Sequence, residues 1–413
     1  MLTSPELQAP LEEAAGRWRT LAILSFAIVL SMTTWFSATA IVGELKAVWA
    51  LSDEAATWLT NAVQIGFVAG ALGASLVNLP DVILARKLMA WSGLLAAGTN
   101  LALLAAPNAE VAIALRFLTG VALAGIYPPA LKLISTWFIR GRGLALGIVI
   151  GALTLGSAFP HLLRATTSTL DWRVVVIGTS LLTLVGALLM GRYAVDGPFS
   201  YPRAAFNPRQ IGLVLRNKPV MLANVGYFGH MWELYAMWGW FLAFIHAAYE
   251  PYGFTASAAS LTTFLVIASG FFGCVVGGLL ADRIGRTATT SLMMAVSGTC
   301  AAVIGFAFAG PLWVLLALSV VWGISVIGDS AQFSAVVTEV GDSSFVGTSL
   351  ALQLGLGFAL TVVAIRALPS FAAYLGGWQW AFVLLVPGPL IGTIAMLALR
   401  RLPEAVKIAQ GRR

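Results

Sequence analysis

Long apolar runs separated by short polar segments make up most of the sequence. An α-helix needs about 20 apolar residues to cross the hydrocarbon core of a bilayer, and each run approaches or exceeds that length. The pattern predicts twelve transmembrane helices, called spans 1 to 12 in chain order, with both termini on one side of the membrane. The runs cover residues 20–42, 54–77, 88–106, 111–138, 143–165, 173–191, 219–247, 258–280, 288–309, 312–339, 346–369 and 379–399.

The composition supports this assignment. Of the 413 residues, 59% are hydrophobic and 10% are charged, and the mean hydropathy is +0.89, whereas a soluble domain is about 25% charged. The predicted fold class is therefore an all-α membrane protein that is solvated by lipid. Cys274 and Cys300 both fall inside predicted spans, so the sequence does not indicate a disulfide framework.

The distribution of lysine and arginine predicts the orientation. The segments on the side of the termini carry 18 of the 24 basic residues, and the opposite loops and rims carry only Lys46, Arg164 and Arg173. Because cytoplasmic loops are enriched in Lys and Arg, we expect both termini in the cytoplasm and the protein in the inner (cell) membrane. The net charge of +7 then reflects topology and gives no support for nucleic-acid binding.

A hydrophilic segment divides the spans into two groups of six. This segment, residues 192–218, is rich in proline and arginine, and we interpret it as a cytoplasmic linker. It separates an N-terminal half, residues 19–191, from a C-terminal half, residues 219–402. The short segments 1–18 and 403–413 are predicted to be cytoplasmic as well.

The two halves resemble each other at an offset of about 200 residues. "MTTWFSATA" at 32–40 aligns without gaps on "MWELYAMWG" at 231–239, and "LDWR" at 170–173 has a counterpart in "GGWQW" at 376–380. The repeat predicts two pseudo-symmetric six-helix halves. Duplicated membrane halves bind their substrates near the midplane, at the interface between the halves.

Two motifs resemble those of a known family. The segment "GGLLADRIGR", Gly277 to Arg286, matches the loop signature G-x-x-x-D-R-x-G-R, and span 4 contains an R-x-x-x-G pattern at Arg116 and Gly120. On these motifs the chain resembles the major facilitator superfamily of secondary transporters over about residues 19–402. The resemblance implies the fold of that superfamily, alternating access, and a central cavity lined by spans 1, 4, 7 and 10.

The loop signature predicts a gate on the cytoplasmic side. Glycines allow two helix ends to approach closely, and an acidic side chain can meet an arginine or a helix N-terminus across the seam between the halves. The alternative is a loop with ordinary positive-inside arginines. The first-half copy of the signature lacks the glycines. The gate candidates are Asp81, Arg86, Asp282, Arg283 and Arg286.

Two acidic residues, Glu233 and Asp329, lie well inside predicted spans. Intramembrane charges are costly and normally face a protein interior or a water-filled path. His230 and Glu233 share one helix face at i, i+3, which we expect to face the cavity. A carboxyl group removed from water favours its protonated form, and histidine titrates near physiological pH. We therefore predict that these three residues carry the coupling proton; the alternative is a buried polar network that fixes helix packing.

Side chains near the midplane of the four cavity spans are candidates for substrate binding. Pro128 and Pro129 should kink span 4 at this depth. His161 is expected to be structural, and Arg116 and Arg366 either anchor the outer rim or form an extracellular ion pair. The substrate-binding candidates are Trp35, Tyr127, Lys132, Tyr235, Trp238 and Gln332.

The sequence favours a proton-coupled importer, a symporter, of a small polar or anionic solute, because the segment around Lys132 is loosely similar to cyanate- and nitrate-type permeases. The alternative is proton-driven efflux of amphipathic compounds, although span 5 lacks the G-P-x-x-G-G ending typical of antiporters in the superfamily. A metal-ion transporter is a minor alternative, since His230, Glu233 and Met237 fall on one stripe.

Other classes of protein find no support in the motifs. The chain has no G-x-S-x-G, no H-E-x-x-H and no phosphate-cradling loop, so we do not expect an enzyme. We expect no cofactor and no bound metal. The predicted partners are a small-molecule substrate, protons and the lipid bilayer, with no nucleic acid, and the protein is predicted to be a monomer.

Overall fold

In the computed structural model, the regular secondary structure of the described residues is helical. The described residues are 14–77, 79–138, 141–167, 171–199, 206–342 and 344–413. The side of the molecule that holds both termini, predicted to be cytoplasmic, is called the inner side below, and the opposite side is called the outer side.

Ten helices within the described ranges are long and apolar enough to cross a membrane. They match predicted spans 2–6 and 8–12 within a few residues, which confirms these predictions. Their bounds are Glu54–Leu76, Ala85–Ala105, Ala109–Ser135, Arg142–Thr166, Arg173–Tyr193, Ala256–Ile284, Arg286–Ala307, Leu312–Val340, Val346–Tyr374 and Ala381–Arg400.

The two other predicted spans, 1 and 7, differ from these ten in continuity or in polarity. Span 1 is a helix over Arg17–Met32 that stops and resumes as the short helix Ser37–Ala40, and Val42–Trp49 follows on the outer side. Residues 33–36 are called the span 1 break. Span 7 is one continuous helix, Lys218–Tyr249, whose hydropathy is lowered by its polar and tryptophan side chains.

Spans 4 and 10 are interrupted near their centres. Span 4 ends one helix at Ala124 and begins the next at Tyr127, with two prolines in the first turn, so the kink predicted from Pro128 and Pro129 is confirmed. A proline is tolerated there because first-turn amides have no partner within the helix. Span 10 ends one helix at Gly328 and begins the next at Ser330.

Short polar side chains define where several spans begin. Ser52, Asn108, Asn217 and Thr255 each accept a hydrogen bond from a backbone amide three residues later. Such N-caps satisfy donors that have no partner within the helix. Three shorter elements on the inner side are Pro208–Gln210, Ile211–Arg216 and the C-terminal Pro403–Gly411.

The two halves meet along spans 5 and 8 and along spans 2 and 11. Gly147 and Gly151 of span 5 pack against Cys274 and Phe271 of span 8, where a Cβ atom would lie 2.6 and 2.8 Å from the neighbouring atoms. Only residues without a side chain allow this approach. The glycine-rich pattern of span 5 is therefore explained by packing between the halves.

Candidate functional site

Glu233 is buried inside the C-terminal half. Its Oε2 accepts a hydrogen bond from Ser297 Oγ of span 9 at 2.8 Å, and its Oε1 accepts one from Trp322 Nε1 of span 10 at 2.7 Å. The carboxyl group is 1% exposed, and the described residues bring no cation within ion-pair distance of it. One side chain thus joins spans 7, 9 and 10 through neutral donors.

His230 and Asp329 form a second buried pair. Nδ1 of His230 lies 2.9 Å from Oδ1 of Asp329, and both side chains are almost fully buried. The mutual orientation is not that of a hydrogen bond, and among the described residues no donor reaches either oxygen of Asp329 and no partner reaches His230 Nε2. Of the three residues predicted to carry the proton, Glu233 therefore has a hydrogen-bond partner for each carboxyl oxygen, whereas His230 and Asp329 retain unpaired polar atoms.

The position of Glu233 differs from the expectation in one respect. The i, i+3 spacing does place His230 and Glu233 on neighbouring positions, but their partners belong to spans 9 and 10 of the same half. Glu233 is directed into the C-terminal half, and the expectation that it faces a cavity between the halves is wrong. Helix periodicity defines a face without defining which neighbour covers it.

Aromatic side chains from both halves meet at the centre of the molecule. Trp35 stacks on Tyr235 with ring centroids 5.7 Å apart, and Phe36 meets Trp238 edge-on at 6.1 Å. Phe358 of span 11 contacts Trp35 from the C-terminal side. The structure therefore brings three of the substrate-binding candidates, Trp35, Tyr235 and Trp238, into one cluster, called the aromatic centre.

The other three candidates lie apart from the aromatic centre or at its edge. Tyr127 and Lys132 are partly exposed on span 4. Gln332 is buried and its Oε1 accepts a hydrogen bond from Arg286 at 2.7 Å. This contact turns Gln332 toward the inner side, and it was not predictable from the local sequence because the two residues are 46 positions apart.

The gate candidates do not form one cluster. Arg286 makes a two-pronged ion pair with Glu339 at the inner end of span 10, within the C-terminal half. Arg86 and Arg283 are exposed, and the side chain of Asp81 lies outside the described residues. Among the four gate candidates whose side chains are described, Asp282 is the one that lies against the opposite half.

Asp282 lies against the first turn of span 5. A Cβ atom on Gly143 would lie 3.0 Å from its Oδ1, and Gly143 is the second residue of the helix Arg142–Thr166. A carboxylate at a helix N-terminus is stabilised by the helix dipole. The backbone carbonyl of Asp282 also accepts a hydrogen bond from Arg412 of the C-terminal segment, so this corner links three parts of the chain.

The outer side is closed by contacts between the halves. Arg366 of span 11 forms an ion pair with Glu54 of span 2 and lies over the ring of Trp58. Ser257 of span 8 donates to the carbonyl of Ala165 in span 5 at 2.5 Å. The alternative of an extracellular ion pair for Arg366 is thus the one that the structure favours.

Arg116 has a role that the sequence did not reveal. It is fully buried and donates to the backbone carbonyls of Thr34 and Trp35 at the span 1 break, and to Ser37 Oγ and Asn100 Oδ1. The expectation of an outer-rim anchor or ion pair is wrong for this residue. Its guanidinium supplies the donors that the interrupted helix lacks, and so holds Trp35 in the aromatic centre.

The described residues contain no group of three or more His, Cys, Asp or Glu side chains placed to hold a metal ion. The stripe formed by His230, Glu233 and Met237 is divided among different neighbours, since Glu233 is bonded to Ser297 and Trp322.

Two helical halves, interrupted spans near the midplane and buried ionisable groups are typical of secondary transporters. Residues 24–364 match the Major Facilitator Superfamily, and the chain belongs to that family. The structure is similar to that of a bacterial homolog of the human lysosomal transporter Spinster in an inward-facing, occupied conformation, with a TM-score of 0.68 and 14% identity over 93% of this chain and 97% of that one.

Relatives with named functions match parts of the chain. The MFS-type transporter pytF of Aspergillus terreus is 29% identical over 42% of this chain and 58% of its own length. The probable sulfoacetate transporter SauU of Cupriavidus necator is 25% identical (42% and 44%), as is the agnestins efflux protein AgnL12 of Paecilomyces divaricatus (45% and 42%). The chain thus spans about half the length of these curated relatives.

Proposed function

We propose that this chain is a proton-driven exporter of amphipathic organic compounds that works by alternating access between its two halves. The observation that carries the proposal is the buried carboxyl group of Glu233, held by two neutral donors from neighbouring spans. Carboxyl groups at this depth are costly and mark proton or ion pathways. Glu233 is therefore suited to carry the coupling proton.

Protonation of Glu233 changes the contacts of span 7 unequally. The indole N–H of Trp322 is a donor only, and an ionised carboxylate is an acceptor only, so they match in the ionised state. A proton on Oε1 sets two donors against each other, whereas the hydroxyl of Ser297 can accept as well as donate. The proton is therefore best placed on Oε2, where the hydroxyl of Ser297 accepts it and donates to the carbonyl of Met294 instead. Protonation thus reverses the hydrogen bond to span 9 and leaves Trp322 of span 10 with a weaker, neutral acceptor, which is a differential interaction of the kind that a coupled conformational change requires.

The pair of His230 and Asp329 acts as a second proton-binding group. Nδ1 and Oδ1 lie 2.9 Å apart, and a proton on the histidine makes this contact an ion pair. Asp329 lies between the two helices of span 10, where a change of charge acts on a point at which the backbone is already interrupted. Both groups therefore influence the same span.

The aromatic centre favours an amphipathic compound over a small anion. Trp35, Tyr235 and Trp238 present large apolar faces there. The buried guanidinium of Arg116 is bonded to carbonyl, hydroxyl and amide oxygens, which leaves it unsuited to bind an anion. Similarity to a protein named for efflux, AgnL12, supports export, and export therefore takes precedence over the import expected from the sequence.

Import of a small anion is a second candidate. Lys132 is partly exposed in the inner half of span 4, and an ammonium group is a strongly hydrated point charge that suits carboxylates and sulfonates. One relative is named a probable sulfoacetate transporter. This candidate predicts an anionic substrate that moves in the same direction as the proton.

Vesicles with an imposed pH gradient distinguish the two candidates, whichever way the protein is inserted. An antiporter accumulates its substrate when the interior is acidic, and a symporter does so when the interior is alkaline. We expect a neutral aromatic compound such as 4-hydroxybenzamide to accumulate in acidic vesicles beyond protein-free controls. Accumulation of sulfoacetate in alkaline vesicles, without movement of the neutral compound, would replace export by import.

A further inference from the structure

Six buried polar side chains on spans 1, 2, 5 and 7 have unused hydrogen-bonding atoms. In the described part of the chain, no hydrogen-bond partner is present for the side-chain amides of Asn61 and Gln64 or for the ring nitrogens of His161. The same holds for the hydroxyl of Ser157 and for the indole N–H groups of Trp35 and Trp238. Each side chain is at most 1% exposed.

Span 2 directs Gln64 toward the break. Thr60 Oγ1 lies 2.7 Å from Thr39 Oγ1 on the outer side of the break, and the ring centroid of Phe67 lies 5.0 Å from that of Trp35, which is part of the break. Thr60, Gln64 and Phe67 are spaced i, i+4 and i+7, and therefore share one helix face. Gln64 thus lies between two residues that both touch span 1 near its break.

Span 5 also contacts span 1 next to its break. Gly156 packs closely on Met32, where a Cβ atom would lie 2.8 Å from the methionine side chain, and span 5 also contacts the short helix Ser37–Ala40. Ser157 and His161 follow on this segment. At 1.5 Å per residue, Ser157 lies ~14 Å below the outer end of span 5 and Asn61 ~12 Å below that of span 2, so the two reach similar depths.

A neighbouring network of buried polar side chains is paired, so the unused atoms are not a general feature of this region. On another side of span 1, Asn100 and Arg116 bond to each other, and Asn100 also donates to Thr179 and Ser180. Buried polar groups in proteins are nearly always paired, and exceptions mark functional positions or sites for a bound group. Two neighbouring polar clusters therefore differ in kind: one is complete, and the other has donors and acceptors to offer.

We propose that Asn61, Gln64, Ser157 and His161, with the indole N–H groups of Trp35 and Trp238, form the polar part of the substrate site. The site takes an uncharged, planar compound with several hydroxyl or carbonyl groups. This inference rests on the proposed export function and assigns the substrate class to it.

The chemistry of the six groups supports an uncharged ligand. Two amides, one hydroxyl and two indoles carry no charge at any physiological pH, and the described residues place no carboxylate on His161 as a counterion. A neutral imidazole offers one donor and one acceptor. The rings of Phe36, Phe67 and Tyr235 at the same centre favour stacking on a planar molecule.

Binding to the full chain in lipid nanodiscs tests the inference with three probes of one size: 4-hydroxybenzamide, which is neutral, 4-hydroxybenzoate, an anion, and 4-hydroxybenzylamine, a cation. Saturation-transfer NMR and ligand-induced shifts of the melting temperature report weak binding. We expect only the neutral probe to bind, and Gln64→Leu to weaken it about tenfold, the loss expected for a buried hydrogen bond.

A matched control separates binding from folding. Gln353 is also buried, but it accepts from Ser334 and donates to Asn224. Gln353→Leu should lower the melting temperature and keep probe binding, whereas Gln64→Leu should keep or raise the melting temperature, because it removes no hydrogen bond. If Gln64→Leu melts lower while binding the probe as the parent does, Gln64 is structural and the inference fails.

Two further outcomes overturn the inference: preferential binding of the anion or cation, and binding of none of the three probes. Neither depends on the coupling proton, because binding is measured without a pH gradient. Neutral binding together with substrate movement that ignores the gradient would instead contradict the proposed export function and leave the site intact.

Discussion

Trp322 donates its indole N–H to Oε1 of Glu233 across 2.7 Å, and this bond ties span 10 to the centre of span 7. The N-terminal half has a buried contact at the corresponding place, in which the charged side chain is a cation and not an acid. Arg116 of span 4 donates to the carbonyl of Thr34, and Thr34 aligns with Glu233 in the internal repeat. One half is thus held by a buried cation with acceptors around it, and the other by a buried acid with donors around it.

The hydrogen bonds of Arg116 are predicted to be essential for folding. Arg116→Leu leaves several buried acceptors without a donor, and each such group costs about 1–3 kcal/mol. We expect a large fall in folded yield and melting temperature. Arg283→Leu, at an exposed position, is the control and should stay within about 0.5 kcal/mol of the parent. Equal melting of the two variants would show that Arg116 does not hold the break.

The outer ion pair is predicted to bias the protein toward the outward-closed state only weakly. The side chains of Arg366 and Glu54 are 45% and 70% exposed, and exposed pairs contribute about 0–1 kcal/mol. Arg366→Glu should widen spin-label distances across the outer face, and adding Glu54→Arg should restore them. Distances that stay wide in the double variant would show that the pairing itself is not the cause.

The contact of Asp282 with span 5 is predicted to hold the inner side closed. Asp282→Asn removes a charge beside the first turn of span 5, an interaction of about 0.3–1 kcal/mol. We expect more molecules with an open inner side by spin-label distances, and no change for Arg283→Gln. Identical distance distributions in parent and Asp282→Asn would contradict this role.

The positive-inside pattern predicts that the linker faces the cytoplasm. Cys274 and Cys300 are both buried and can be replaced by serine before a single cysteine is placed at Arg209, which is exposed. A membrane-impermeant maleimide should label this cysteine only after the cells are permeabilised. Labelling of intact cells would reverse the orientation of both termini.

The transmembrane helices could be predicted from the sequence because a helix needs a long apolar run to cross a bilayer. Where helices begin is also a local property, because an N-cap side chain lies within a few residues of the amide that it binds. Ten spans agree with the prediction within a few residues. The span 1 break was not predictable from local pattern, because its free carbonyls depend on Arg116, about 80 residues away. Local signals specify where helices form, and distant partners specify where they are interrupted.

The candidate site was predictable in its residue types and less so in its geometry. The rarity of acids in spans pointed to Glu233 and Asp329, since buried charge is costly. The spacing of His230 and Glu233 could not show that Ser297 and Trp322 cover the carboxyl group. Asn61, Gln64 and Ser157 escaped attention because neutral polar residues are common in membrane helices, and only their lack of partners distinguishes them.

The central claim is that Glu233 carries the coupling proton. Glu233→Gln is a permanent mimic of the protonated carboxyl group, and its effect is best measured in vesicles that report both substrate exchange and gradient-driven accumulation. Glu250→Gln, at an exposed position outside span 7, is the control and should behave as the parent does. Because an antiporter carries its substrate in the deprotonated form, we predict that Glu233→Gln folds as the parent does but loses both exchange and accumulation. Full accumulation driven by the pH gradient in Glu233→Gln would contradict the claim.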